Sequence, residues 1–282
     1  MKVRVRYETE YRYAEEVSFS PQVFRLFPKA DTHIAIERTA FETNDGAKVH
    51  HGRDLFDNIV ASCFYPGCHT ALRCRLEVEL RLDNKNPFHF LLAPHALDFP
   101  FSYQPDERRV LEPFLDPLAP RVELPFWRLE PKPTVAALIE LNNAVFHHLK
   151  YERREEGVAR APAETLAAGG GACRDFALLL AETLRASGVA ARLASGYLWE
   201  GNSSGPRRAE GALHAWVEAY LPGAGWVGID PANGIFCDHN HITAAVGLRP
   251  VDVAPISGRF FADRPVSSAM SASLEISQCP EK

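Results

Sequence analysis

The sequence predicts an α+β protein, with an N-terminal antiparallel, sandwich-like β domain followed by a core of helices packed on an antiparallel sheet. Three observations carry this. Residues 1 to about 83 hold short period-two runs separated by turn residues. A proline-dense stretch over 84–133 then interrupts regular structure. Beyond it, segments of helical period alternate with strand-like runs and end in a hairpin signal.

Composition bounds the function. A chain of 282 residues with 46% apolar and 24% charged residues is ordinary for a globular protein and can bury a sizeable core. Its formal net charge of -5 argues against nucleic acid or an anionic membrane as partner, since both need a basic face. Met1–Tyr7 alternates charged and apolar residues, which reads as a strand and not as a signal peptide. No apolar run approaches the length of a membrane span. The expectation is a cytoplasmic protein whose six cysteines are reduced thiols. The spacing of Cys63, Cys68, His69 and Cys74 fits no standard zinc pattern, so they read as core thiols, and Cys237, His239 and His241 read as a local loop in preference to a metal site. No cofactor and no metal site is expected.

The elements follow in order. Val3, Val5 and Tyr7, then Tyr11 and Tyr13, alternate with polar residues. Further strand-like runs start at Ile34, span Leu55–Phe64, and span Leu72–Leu82. Asn44-Asp45-Gly46 and Asp83-Asn84 are turn signals. The proline-dense stretch interleaves aromatic residues such as Phe99, Phe101, Tyr103 and Trp127, which a flexible linker lacks, so it reads as an ordered, extended connector. Thr134–Lys150 reads as a helix with Thr134 as its cap, and Pro162–Leu166 as a helical turn. A helix opened by Cys173 follows, with Gly188 after its C-terminus. Val189–Trp199 is strand-like, and Glu200–Glu210 is a polar loop. Leu213–Leu221 and Trp226–Asp230 form a hairpin around Pro222-Gly223-Ala224-Gly225. The predicted division is a β-rich domain over 1–112, a connector over 113–133 and a catalytic domain over 134–282.

The candidate chemistry starts at Gly169-Gly170-Gly171-Ala172-Cys173. A thiol at a helix N-terminus meets unpaired backbone N–H groups and the positive end of the helix dipole, and both favour the nucleophilic thiolate. His214 lies in a strand, on the face shared with Trp216, Glu218 and Tyr220, and is suited to take and return the thiol proton. Asp230 closes the next strand. If the hairpin turns around Pro222-Gly223-Ala224, it lies opposite Trp216 and diagonal to His214, within reach of the imidazole. Helix thiolate, strand imidazole and neighbouring carboxylate make a cysteine acyl-transfer triad. An oxyanion hole can draw on the Cys173 backbone N–H and one further donor. Arg174 and Asp175 read as serving the first turn of the helix and an ion pair, Arg192 as partner of a carboxylate, and Trp216 as core or a cover over the triad. Tyr197 is a candidate cleft residue, and the glycines are read as letting the backbone turn tightly and keeping the approach to Cys173 open.

Four motifs, Gly171-Ala172-Cys173-Arg174-Asp175-Phe176-Ala177, Ala191-Arg192-Leu193-Ala194-Ser195-Gly196-Tyr197, His214-Ala215-Trp216-Val217-Glu218 and Gly225-Trp226-Val227-Gly228-Ile229-Asp230-Pro231-Ala232-Asn233-Gly234, together resemble the bacterial transglutaminase-like proteins, a group that often carries a cysteine-protease label. The resemblance covers roughly 134–250. It implies a papain/transglutaminase-like α+β core with Cys173 as nucleophile, His214 as base and Asp230 as orienting group. Asp57-Asn58 and Phe99-Pro100-Phe101-Ser102-Tyr103 resemble that family's β-rich N-terminal region more loosely. Leu213, Ala232 and Gly247-Leu248-Arg249-Pro250 depart from the family pattern and touch no triad member.

The functional expectation is a cysteine hydrolase acting on an amide or peptide bond of a peptide or protein substrate, through a thioester on Cys173. Two alternatives stand beside it. One is a transglutaminase that passes the acyl group to an amine, and the other is a non-catalytic binding module that keeps the fold.

Overall fold

The computed structural model describes residues 1–154, 157–199 and 213–279. The polar loop expected over Glu200–Glu210 lies outside the described residues. In chain order the strands and helices are β1 (Lys2–Phe19), β2 (Gln22–Phe24), β3 (Ile34–Thr43), β4 (Lys48–Arg53), β5 (Ile59–Phe64), β6 (His69–Leu82), α1 (Pro105–Leu115), α2 (Thr134–His148), α3 (Pro162–Ala168), α4 (Cys173–Ala186), β7 (Ala191–Leu198), β8 (Leu213–Leu221), β9 (Gly225–Asp230), β10 (Ile235–Phe236), β11 (His241–Gly247) and β12 (Ser268–Gln278).

The N-terminal region is antiparallel and built from two sheets. One runs β12-β1-β6-β3, and the other pairs β2, β5 and β4 with the short segment Ile256–Ser257. Register in the first sheet follows from both faces of the strands. Val3, Val5 and Tyr7 oppose Leu80, Val78 and Leu76 on the buried face. On the outer face Arg4, Arg6, Glu8 and Glu10 oppose Glu79, Glu77, Arg75 and Arg73, with ion pairs at 2.8, 3.3, 3.3 and 2.6 Å. Each exposed pair is worth little, roughly 0–1 kcal/mol. A slip of one residue would turn the whole apolar set outward, so the register is held mainly by burial. Phe24, Leu26, Phe27, Ala61 and Cys63 from the second sheet pack against these residues, completing the sandwich-like core.

The second sheet system is antiparallel in the order β10-β9-β8-β7-β11. The apolar face of α4 (Phe176, Ala177, Leu180, Leu184) packs on it against Val217, Ala219 and Leu193, together with Leu138, Leu141 and Val145 of α2. This is the α+β core expected from the alternating periods.

The two regions are joined tightly. Asn58 is buried and exchanges two hydrogen bonds of 2.8 Å with the backbone of Val246 in β11. The Tyr197 hydroxyl donates to the Leu26 carbonyl at 2.6 Å. Tyr197, Trp199, Ile242 and Ala244 belong to the same apolar cluster as the β sandwich. From the connector, the Tyr103 hydroxyl donates to the Tyr220 carbonyl at 2.7 Å and accepts from the Ala190 amide at 2.9 Å.

Several expectations are corrected. The span 134–282 is not one unit: β12 leaves the core and pairs with β1 from Val3↔Gln278 to Tyr13↔Ser268, so the C-terminal strand completes the N-terminal sheet. A period-two pattern announces a strand but carries no information about its neighbour. The boundary at 112 cuts α1, an 11-residue helix in the stretch read as extended. Its start is stabilised by Pro105 in the first turn and by the Glu107 carboxylate accepting from the Gln104 amide at 2.9 Å, a device that tolerates the prolines around it. Thr134 does not cap α2. It is the first helical residue, and its hydroxyl donates to the Ala96 carbonyl at 2.7 Å. The run read from Leu55 begins as strand only at Ile59, because Asp54–Asn58 is a turn closed by the Asp54 carboxylate and Asp57 at φ 60.

Candidate active site

The approach to Cys173 is set by close backbone packing. Gly169 closes α3 at φ 66, a left-handed conformation suited to glycine. Gly170 and Gly171 then run parallel to Lys150 and Tyr151. A Cβ on Gly170 would lie 2.3 Å from the Lys150 carbonyl oxygen, and one on Gly171 2.7 Å from Asp175 Oδ2. The glycines therefore serve close packing against neighbouring chain, which corrects the reading that they hold open the approach to the thiol.

Cys173 begins α4 at the rim of the sheet. Asp175, fully buried, fixes that first turn. Its Oδ2 accepts from the Ala172 amide at 2.8 Å, and its Oδ1 accepts from the Arg160 amide at 2.7 Å and the Arg154 guanidinium at 2.6 Å. The capping and ion-pair role expected for Asp175 is thus present, while Arg174 donates to the Arg154 carbonyl at 2.7 Å.

The antiparallel order brings the end of β7, the starts of β8 and β11 and the end of β9 to one rim. The hairpin turns at the expected place: Val217 opposes Ile229, and continuing that register sets Asp230 against Trp216. His214 Nε2 donates to Asp230 Oδ2 at 2.8 Å. His214 Nδ1 is buried with no nitrogen or oxygen partner among the described residues, which leaves it for Cys173, with which His214 interacts as hydrogen-bond partner and as charge. Cys173 is 8% exposed, His214 1% and Asp230 0%, so Cys173 is the least deeply buried of the three.

The electrostatics match a thiolate–imidazolium pair. Burial pushes the Cys173 thiol up, but the hydrogen bond and charge of His214, with the Ala215 backbone, bring it below its ordinary value. Burial pulls His214 down, but the Asp230 carboxylate and the Cys173 thiolate raise it to about 10. Asp230 is held well below the usual carboxylate range because His214 and His241 outweigh its burial. Opposite charges in a dry site stabilise one another, which is the form that makes cysteine a nucleophile.

The structure adds residues the sequence reading left out. Asp230 Oδ1 accepts from the amides of Ala232 at 3.0 Å and Asn233 at 3.2 Å, so the carboxylate also closes the turn after β9. Oδ2 accepts in addition from Asn233 Nδ2 at 2.7 Å and His241 Nε2 at 3.1 Å. Asn233 carried a signal, three residues after Asp230 in Asp230-Pro231-Ala232-Asn233. His241 did not, because its place depends on strand order. Tyr151 is half-buried beside the thiol, with burial and then the Cys173 charge pushing its phenol up to about 12. Trp216 lies under the cluster, its ring 6.1 Å from His214 and 5.4 Å from His241. Arg192 binds Glu218 at 2.6 Å and sits 4.2 Å over Trp226. Tyr197 does not line a cleft. It is fully buried against the β sandwich. Among the described residues no group of three or more His, Cys, Asp or Glu side chains is arranged to hold a metal ion, and no helix is long and apolar enough to cross a membrane.

Comparison with known proteins places these features. Residues 126–231 match the family model of the transglutaminase-like superfamily, and residues 3–81 match that of the bacterial transglutaminase-like N-terminal region. An uncharacterised protein of Mycobacterium tuberculosis is 30% identical over 154 residues, 52% of this chain and 49% of the relative, so the chain spans about half the length of that relative. An uncharacterised protein of Mycobacterium leprae is 26% identical over 265 residues, 91% of this chain and 92% of the relative. A crystal structure from Cytophaga hutchinsonii, named "Putative Cysteine Protease", superposes with a TM-score of 0.68 at 15% identity, covering 100% of this chain and 92% of that one. That likeness establishes the fold. The chain thus carries a bacterial transglutaminase-like N-terminal region over 3–81 followed by a core of the transglutaminase-like superfamily over 126–231.

Proposed function

We propose that the protein is a cysteine-dependent acyl-transfer enzyme that hydrolyses a peptide or amide bond of a peptide or protein substrate. The observation that carries this reading is the buried His214–Asp230 contact of 2.8 Å behind a thiol that His214 pulls below its ordinary pKa. Cys173 attacks the carbonyl carbon of the substrate, forming the carbon–sulfur bond. The proton held on His214 goes to the leaving amine as the carbon–nitrogen bond breaks. Water, deprotonated by His214, then cleaves the thioester and releases the acid. Asp230 keeps the imidazole in one orientation and offsets its positive charge. Developing oxyanion charge is met by the Cys173 backbone N–H.

Transfer of the acyl group to an amine shares the first half of this sequence and is the second reading. Incubation with a peptide library, with and without added primary amine, separates the two. Free acid products that disappear in Cys173→Ala support hydrolysis. Products that form only with the amine and carry it covalently overturn hydrolysis in favour of transfer. No reaction dependent on Cys173 under either condition favours a binding module.

A further inference from the structure

One histidine at the site is unused by the triad. His241 is buried at the start of β11 between two carboxylates: its Nε2 lies 3.1 Å from Asp230 Oδ2 and its Nδ1 3.1 Å from Asp238 Oδ1. We propose that His241 is a positioning residue of the Cys173 site, an imidazolium clamped between Asp230 and Asp238 that holds the Asp230 carboxylate in line with His214 and balances its charge. The inference rests on the acyl-transfer reading of Cys173.

Three features support it. Asp230 Oδ2 accepts from His214, His241 and Asn233 at once, so its position is fixed from three directions. A carboxylate aimed by a single histidine could rotate about its χ2 torsion, and this one cannot without breaking bonds on the far side. Second, the site is dry. A buried cluster of thiolate, imidazolium and carboxylate carries one net negative charge, which is unfavourable in low dielectric. A second imidazolium offsets that charge within the dry part of the site, and its other partner, Asp238, is 21% exposed on its side chain and keeps contact with solvent. Third, Asp238 has a use here: its carboxylate also accepts from the Asn240 amide at 3.0 Å and from Asn240 Nδ2 at 2.8 Å, which aims it at His241. Burial opposes the charge on His241, but the two carboxylates raise its pKa above the ordinary value.

The groups that face His241 are few. Asp230 approaches from β9, His214 from β8 with ring centroids 6.4 Å apart, and Asp238 from the loop before β11. Trp216 covers one side, and Cys237, a thiol that burial keeps neutral, packs beside Trp216. Glu218, further along β8, is engaged by Arg192. The Asp238 amide lies 3.3 Å from His241 Nδ1 and would donate to it in a neutral imidazole. The protonation state therefore decides between the two arrangements.

The sign of the effect is fixed. A positive charge lowers the pKa of every group near it, so its loss raises them all. His241→Gln keeps a donor toward Asp230 and removes the charge. It is expected to move the pH midpoint of Cys173 alkylation upward by on the order of one unit, the size that a single charge about 10 Å away gives at an effective dielectric of about 20. Alkylation by iodoacetamide is followed on the Cys173 peptide by mass spectrometry, because Cys68 is exposed and Cys279 partly so, and both compete for the reagent. A merely structural histidine would lower thermal stability and leave the midpoint in place, and that result in folded His241→Gln overturns the proposal. A second measurement needs no variant to fold. Selective 15N-histidine NMR of the wild-type protein is expected to give His241 a titration midpoint above the ordinary value of roughly 6.5, and a midpoint at or below that value overturns the proposal. An ordinary thiol midpoint for Cys173 in the wild type would instead overturn the acyl-transfer reading itself.

Discussion

Replacing Asp175 by alanine removes three hydrogen bonds from the turn that presents Cys173. The carboxylate is fully buried and accepts from the Ala172 amide, the Arg160 amide and the Arg154 guanidinium at 2.8, 2.7 and 2.6 Å. The Ala172 amide is buried, and leaving it unpaired costs about 1–3 kcal/mol. The Arg160 amide is nearer solvent and recovers part of its loss through water, leaving roughly 0.5–1 kcal/mol. Arg154 is 29% exposed on its side chain and can turn outward, so its share is discounted to about 0.5–1 kcal/mol. The sum is about 2–5 kcal/mol, a large part of the roughly 5–15 kcal/mol that holds a domain folded. Asp175→Asn keeps one acceptor and should lose less. Urea denaturation followed by fluorescence reads both variants. A loss under about 1 kcal/mol for Asp175→Ala would refute the reasoning that this carboxylate fixes the helix start.

Three other predictions follow from the packing and the charges. Gly170→Ala should lower the thermal midpoint by several degrees, because the added Cβ meets a backbone carbonyl at 2.3 Å that has no side-chain freedom to yield; an unchanged melting curve contradicts the close packing. Tyr197→Phe should cost about 1–3 kcal/mol in urea denaturation by orphaning the Leu26 carbonyl at the junction with the β sandwich, and a neutral result contradicts that contact. The stability gap between wild type and Asp230→Asn should depend on pH. His214, raised to about 10, contributes stability that is complete below its unfolded value of roughly 6.5 and is lost as pH rises through about 10. Asp230, held low, contributes stability present above roughly 3.9 and lost as pH falls through its lowered value. The gap should be widest between roughly pH 4 and 6.5 and shrink toward pH 10, whereas a gap of constant size contradicts the pairing.

The site was legible where chemistry is local to a few residues. Three glycines before Cys173, a histidine in a strand and an Asp-Pro at the end of the next strand announce themselves by spacing, and hairpin parity predicted the contact of His214 with Asp230. The alternation of Val3, Val5 and Tyr7 likewise announced its strand. What stayed hidden depends on neighbours far along the chain. The return of Ser268–Gln278 to β1 crosses more than 250 residues, and nothing in a period-two pattern names its partner. His241 joins Asp230 only because β11 lies beside β7, a strand order that local residues do not encode. The helix at Pro105–Leu115 was masked by its prolines, because Pro105 sits in the first turn, where a missing N–H does no harm.

The central claim is that Cys173 is held as a thiolate by His214. The rate of Cys173 alkylation by iodoacetamide, measured peptide by peptide across pH in wild type and His214→Ala, tests it most directly. The wild-type midpoint should lie below the ordinary thiol value of roughly 8.5, and His214→Ala, which leaves the thiol buried without its partner, should move it above that value. A wild-type midpoint near the ordinary value, unmoved by His214→Ala, would contradict the account.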